Sequence, residues 1–363
     1  MWVKRFTPAA VLAALLALSG SAVRASGAPK AAPDPLAADI ERWLAVLRKS
    51  PAADEISADV KKNAVPALER ARQALSDGRR LLALQRLGSA RMGIEAGEYL
   101  RARPAGQRKD LALFQAEWAR VGRMLRLDLA PVSSNRFESV RSAAVRALAE
   151  STFGQVRPYY EASLEYGRST VPDSGLLYLG TALSQREFAT FCRNLPPGTP
   201  RPAPSLRSLT PELDDLEARL LAAYRPPASM DRHVEFIVTS ASLKEARELD
   251  AAGFRYGALL RYLQAVQRFG TLTPPESDLA QLKSRLAEME SKLAASSSDE
   301  SVGRLFVEAA QADLAMEGSS GAAASAIVRD VFPLYASALR PAPARAPKGE
   351  AAVTVTLVRW PYT

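Results

Sequence analysis

Apolar residues recur at helical spacing through most of this chain. In Ala241–Arg268, Leu243, Ala246 and Leu249 fall three apart, Gly253 follows, and Ala258, Tyr262 and Ala265 fall four and three apart. That pattern predicts two helices joined at Gly253, with small residues where they cross. Helices are also predicted over Asp39–Lys49 (Ile40, Trp43, Leu44 and Leu47 on one side) and Gln107–Leu129 (Leu111, Phe114, Trp118, Val121 and Leu125). Another begins at Thr210 as cap and Pro211 as first helical residue, with Leu213, Leu216, Leu220 and Tyr224 inward. A helix starts near Ala53, and Pro66 is expected either to kink it or to open a new one. Phe137–Ser151 and Gln155–Arg168 read as a hairpin around Gly154, whose Tyr159, Tyr160 and Tyr166 read as core with hydroxyls at the rim. Ser174–Asn194 follows as a helix. His233–Thr239 is rich in β-branched residues, but no turn signal separates it from Ala241, so it is expected to be helical.

The last third is punctuated more clearly. Thr273–Glu276 and Ser297–Glu300 read as capping boxes. The first opens a helix carrying Leu279, Leu282, Leu286, Met289 and Leu293, and the second a helix running to Gly318. Ala322–Leu339 is a further helix with a kink expected at Pro333. The fold class is therefore all-α, built of helical hairpins.

The opening hairpin has an echo. Shifted by 175 residues, the stretch around Gly78 lies on the stretch around Gly253, with nine identities in 27 positions: Leu68, Ala71, Arg72, Gly78, Arg80, Ala83, Leu84, Arg86 and Ala90. Ala71, Gly78, Ala83, Leu87 and Ala90, and likewise Ala246, Gly253, Ala258, Tyr262 and Ala265, sit where a tetratricopeptide-type hairpin places its small residues, turn and crossing side chain. Residues 65–91 and 240–266 thus resemble degenerate units of that family. The first-helix Trp is missing, no Pro closes either unit, and the two are not in tandem. The resemblance implies an α-solenoid-like scaffold that binds other proteins.

Residues 196–205 hold five prolines and read as a stiff linker. With residues 206–208 they divide the chain into a first helical lobe, 38–195, and a second, 209–340. Residues 26–37 read as a flexible leader. Residues 341–363 read as a linker and then a strand, because Val353, Val355 and Leu357 alternate with threonines. That strand has three possible partners: residues 233–239, its own helices, or another chain. At the other end, Lys4 and Arg5 precede the apolar run Pro8–Leu18, and Val23-Arg24-Ala25 suits cleavage after Ala25. The expectation is an exported, periplasmic or extracellular protein, with no transmembrane segment in its mature chain.

Composition narrows the chemistry. Cys192 is the single cysteine, so no intrachain disulfide can form, and a small buried hydrophobe is expected there. His233 is the single histidine, which removes the histidine-rich zinc motifs and leaves no credible hydrolytic triad. Glycine-rich nucleotide loops are absent. No cofactor is expected. Net charge is +9, falling to +6 without residues 1–25. Residues 61–126 alone carry 15 basic and 6 acidic side chains. Arg72, Arg79, Arg80, Arg86 and Arg91 are therefore the candidate contacts to an acidic protein or anionic envelope polymer. Nucleic acid is not expected, since aromatic residues seldom interleave with the basic ones. The function expected is a non-catalytic interaction scaffold. The alternatives are a helical, lytic-glycosidase-like hydrolase and a structural subunit that assembles through its C-terminal strand.

Overall fold

A computed structural model of the chain describes residues 34–49, 55–129, 134–168, 172–196, 205–226, 230–270, 278–295, 301–316, 318–319 and 321–339. Among them every regular element is helical. The elements used below are α1 (Pro35–Lys49), α2 (Glu55–Ser76), α3 (Arg80–Arg101), α4 (Leu111–Met124), one-turn α5 (Arg126–Leu129), α6 (Ala143–Gly154), α7 (Val156–Arg168) and α8 (Pro172–Arg193). Then come α9 (Thr210–Ala223), α10 (His233–Ala251), α11 (Arg255–Gly270), α12 (Leu279–Ala295), α13 (Val302–Leu314), α14 (Ala322–Ala326) and α15 (Phe332–Ala338). The cleavage site at Ala25, residues 197–204, both expected capping boxes and the C-terminal strand lie outside the described residues. No helix of the described residues is long and apolar enough to cross a membrane.

The 175-residue echo is structural. Gly78 and Gly253 both adopt positive φ, at 77° and 82°, a region that costs any residue with a Cβ. Five backbone hydrogen bonds recur around them at the same offset. Asp77 N–H donates to Gln73 O, Gly78 to Leu75, Arg79 to Ala74, Arg80 to Gly78 and Ala83 to Arg79; Ala252, Gly253, Phe254, Arg255 and Ala258 repeat the set. Burial follows the same register, with Ala64, Leu68, Ala71 and Ala74 of α2 answering to Thr239, Leu243, Ala246 and Leu249 of α10. The correspondence also reaches one helix further back than the sequence suggested. α1 begins at 35 and α9 at 210, each packed on the helix that follows. The repeated unit is therefore three helices long: α1–α2–α3 and α9–α10–α11.

Two buried glutamates tie these units to the rest of the fold. Glu150 of α6 accepts the Gly257 N–H at 2.9 Å, at the N-terminus of α11, and the Arg146 Nε–H at 2.6 Å. Glu308 of α13 accepts the Leu82 N–H at 2.8 Å, at the N-terminus of α3, and lies 3.5 Å from Arg304 Nε. Leu82 and Gly257 are again 175 apart. Each carboxylate satisfies otherwise unpartnered amides and faces the positive end of a helix dipole. The exchange is reciprocal, since a helix from the first half caps the second unit and a helix from the second half caps the first.

That exchange packs residues on the two sides of the expected linker together. α6 packs on α8 of its own half and on α11 of the other, and buried residues from both sides of 196–208 belong to one apolar core. The described end of the linker is built in as well. Arg207 bonds Glu212, and Ser208 Oγ donates to Asp250 Oδ2 at 2.5 Å. Nor does the leader extend to residue 37. α1 starts at Pro35, pre-set for a first helical turn, and Leu36 is wholly buried.

Other local expectations shift for identifiable reasons. α2 runs through Pro66 as one helix, with the proline exposed. The predicted 107–129 helix breaks at Leu125, and its N-terminus is set by Asp110, which accepts the Ala112 N–H. Gly154 is not a hairpin turn, because α6 and α7 barely touch. A Cβ there would lie 2.4 Å from Leu249 Cδ2, so its role is close packing. Of the three tyrosines, Tyr160 is buried and stacks on Trp118, whereas Tyr166 is exposed and stacks on Tyr178. α9 is entered from Leu209, one residue before the expected cap. Asp278 accepts from the Ala280 and Gln281 N–H groups at the start of α12. Ser301 caps α13, which ends at Leu314, four residues before Gly318. A π-turn at Ile327–Val331 precedes Pro333, which has no N–H to offer the carbonyl four residues back.

Candidate functional site

The five candidate arginines do not form one surface. Arg72 is exposed on α2. Arg79 and Arg80 sit half-buried at the hairpin turn, with Arg79 paired to Asp77 at 3.1 Å. Arg86 Nη1 donates to the Arg70 carbonyl at 3.0 Å, and burial, then the Arg70 and Arg79 charges, push its pKa down. Arg70, Arg79 and Arg86 are therefore a cationic cluster at the hairpin end. Arg70 was missing from the sequence-based set.

Arg91 belongs elsewhere. It is only 7% exposed, pairs with Asp39 at 3.3 Å and Glu95 at 2.7 Å, and lies over the Phe191 ring. It ties α1 to α3 and α8 and is not available to a partner. The signal was present in the spacing, because Leu84, Leu87, Arg91 and Ile94 share one helix face.

A groove of about 770 Å³ lies instead between α7 and α10. That size is in the range of ligand sites. Its floor is Phe153, Leu249 and Phe254, and the helix faces add Ala162, Ala241 and Ala252. Phe153 and Phe254 form a ring cluster with Phe137 beneath it. The rim is charged: Arg157 pairs with Glu161 at 2.6 Å, Lys244 with Glu248 at 3.9 Å, and Arg261 with Glu245 at 3.2 Å. With Glu165 this leaves the rim one charge negative. Asp128, also in the lining, is neutralised from behind by Arg136 and Arg186.

The α10 face that enters this groove continues past it. Met230, Val234, Ile237 and Ala241 follow at spacings of four, three and four, and Val234 and Ile237 are 68% and 50% exposed. The repeat supplies an internal control. On α2 the residues 175 earlier than Val234 and Ile237 are Asp59 and Lys62, both exposed and polar. The same position in the same fold is therefore solvated in one unit and apolar in the other.

A second pocket, about 220 Å³, opens where α3 and α11 converge with α6 and α8. Gln85, Ser89, Gln155, Gln185, Arg261 and Gln264 line it, with no carboxylate or histidine in the lining.

The groups that the sequence singled out for chemistry lie apart from these pockets. His233 is exposed, with Nδ1 2.6 Å from the Tyr224 hydroxyl. Cys192 is buried, and burial pushes its thiol pKa up. Glu288 pairs with Lys292 and Glu290 with Gln311, so they do not act together. Among the described residues no group of three or more His, Cys, Asp or Glu is placed to hold a metal ion.

Glu117 is a half-buried carboxyl with a strong shift. Burial works to raise it, but hydrogen bonds from Arg120, Tyr99 and Arg103 outweigh that and hold it at about 2. Glu95, Glu150 and Glu308 move the other way, raised chiefly by burial. The Glu117 contribution to stability is present above the ordinary value of 4.5 and lost as pH falls toward 2. The other three contribute fully below 4.5 and lose that contribution as pH rises through their folded values. Between pH 5 and pH 8 the Glu117 contribution does not change, so the three raised groups decide and the urea midpoint is expected to be higher at pH 5 than at pH 8. A midpoint that climbs steadily from pH 5 to pH 8 contradicts this assignment.

No protein-family model matches the chain, and neither does any curated protein or solved structure.

Proposed function

We propose that the protein is a non-catalytic helical scaffold that binds a segment of a partner protein along α10 and in the α7–α10 groove. One observation carries this reading: an apolar stripe stands on α10 where the matched helix α2 is polar, and it leads into a groove with an aromatic floor and charged rim. Apolar centre and polar rim are the ordinary anatomy of a protein interface. The likeness of the two hairpins to tetratricopeptide-type units supports the same reading, and the pattern of residues 1–25 supports a place outside the cytoplasm.

The test is capture from an envelope extract with the full chain as bait. Replacing both Val234 and Ile237 by Asp is expected to cut capture at least tenfold while leaving the helical circular dichroism unchanged. Capture that survives the double substitution removes the groove as the binding surface.

A second reading rests on the Arg70, Arg79 and Arg86 cluster, which suits an anionic envelope polymer. It requires binding that weakens steeply with salt and with Arg79→Glu, and that ignores the α10 substitutions.

A further inference from the structure

The sequence leaves one motif without a role, the C-terminal segment. We propose that residues 351–363 of the chain itself lie along the exposed face of α10, from Val234 into the groove with α7, and that a partner must displace them. The proposal rests on the reading of that face as a binding surface and names its resident occupant.

Three observations select this occupant. The first is pattern. Val353, Val355 and Leu357 alternate with Thr354 and Thr356, and Trp360 follows, so an extended segment offers one apolar side and an aromatic end. The α10 face offers Val234, Ile237 and Ala241 and then the Phe153–Phe254 floor.

The second is length. From residue 234 to residue 252 the helix advances about 27 Å. Residues 353–361, extended, cover about 26 Å. Residues 340–352 supply a tether of up to about 43 Å.

The third is charge. Residues 340–363 carry Arg340, Arg345, Lys348 and Arg359 against Glu350. The groove rim, with Glu161, Glu165, Glu245 and Glu248 against Arg157, Lys244 and Arg261, is net negative. The complementarity has the right sign but is small, so the apolar contact sets the affinity and salt is a minor lever. Tethering decides between this segment and a second copy. A short linker holds the tail at an effective concentration of the order of millimolar, well above that of another chain in dilute solution.

Photocrosslinking of the full chain tests this. Ile237→p-benzoylphenylalanine places the probe on the exposed face, and Lys62→p-benzoylphenylalanine places it at the matched position of α2. Irradiation of the Ile237 variant at micromolar concentration should give a monomer-sized adduct whose peptide map joins position 237 to residues 351–363. The Lys62 variant should give no such adduct. Trypsin supplies an independent readout: Val234→Asp with Ile237→Asp should speed cleavage after Arg359 at least fivefold.

A dimer-sized adduct at Ile237 overturns the proposal in favour of a second copy. Equal tail adducts from both probes, no tail adduct from Ile237, or unchanged cleavage at Arg359 also overturn it. If the Ile237 probe in an envelope extract labels a foreign protein and never the tail, the binding face stands and only the resident tail is lost.

Discussion

Glu150→Ala is expected to destabilise the fold by about 3–5 kcal/mol, the cost of removing one partner from a buried, hydrogen-bonded ion pair. The carboxylate is wholly buried, and three groups depend on it. The Gly257 and Tyr256 amides at the start of α11 lose their acceptor, and Arg146 loses its counter-charge with little water to replace it. Glu150→Gln should recover part of the loss, because its carbonyl still accepts from Gly257 while its amide faces Arg146. Glu308→Ala is the matched substitution and should cost less. Arg304 is 30% exposed against 16% for Arg146, and it stands farther from its carboxylate. Urea unfolding of the three variants at pH 7 reads the order directly. If Glu308→Ala is as damaging as Glu150→Ala, burial of the arginine is not what separates the two sites. If neither moves the midpoint, the reciprocal caps do not hold the halves together.

The contrast between these caps and the hairpins shows what the sequence could reveal. A turn at Gly78 or Gly253 is a local device, fixed by one glycine and a few neighbouring amides, so its signature fits within a short window. The 175-residue echo was legible for the same reason. The caps were not. Glu150 and its amide are 107 residues apart, and Glu308 and its amide 226. In sequence each is one more Arg-x-x-x-Glu on a helix, indistinguishable from an exposed i,i+4 pair such as Arg157 with Glu161. How residues on the two sides of 196–208 pack together cannot be read from sequence while those links are invisible.

The inclusion of Arg91 among the candidate contacts has a different origin. Counting arginines weighs charge without asking which helix face holds it. Arg91 falls on the buried face and pays its desolvation back with Asp39 and Glu95. The α10 stripe was in plain view as Val234 and Ile237, but an apolar residue on a helix reads as core by default. Only comparison with Asp59 and Lys62 on the matched helix turns it into a surface feature.

Small residues carry the rest of the specification, and one substitution made at two glycines should show it with opposite signs. Gly175 of α8 faces Gly167 of α7 so closely that a Cβ would stand 2.5 Å from the Gly167 Cα and 2.6 Å from Phe114 Cε2. The first obstacle is backbone, which cannot rotate away, and Phe114 is itself wholly buried. Gly175→Ala is therefore expected to cost about 1–3 kcal/mol by overpacking, and Gly175→Val more. Gly93 lies in the middle of α3 and is exposed, and a Cβ there meets nothing within 4 Å. Gly93→Ala should stabilise by about 0.5–1 kcal/mol, since alanine loses less backbone freedom on entering a helix. Urea midpoints of both variants against the parent decide it. A neutral Gly175→Ala would mean that α7 and α8 can separate without cost, and the close crossing would then not be what sets their packing.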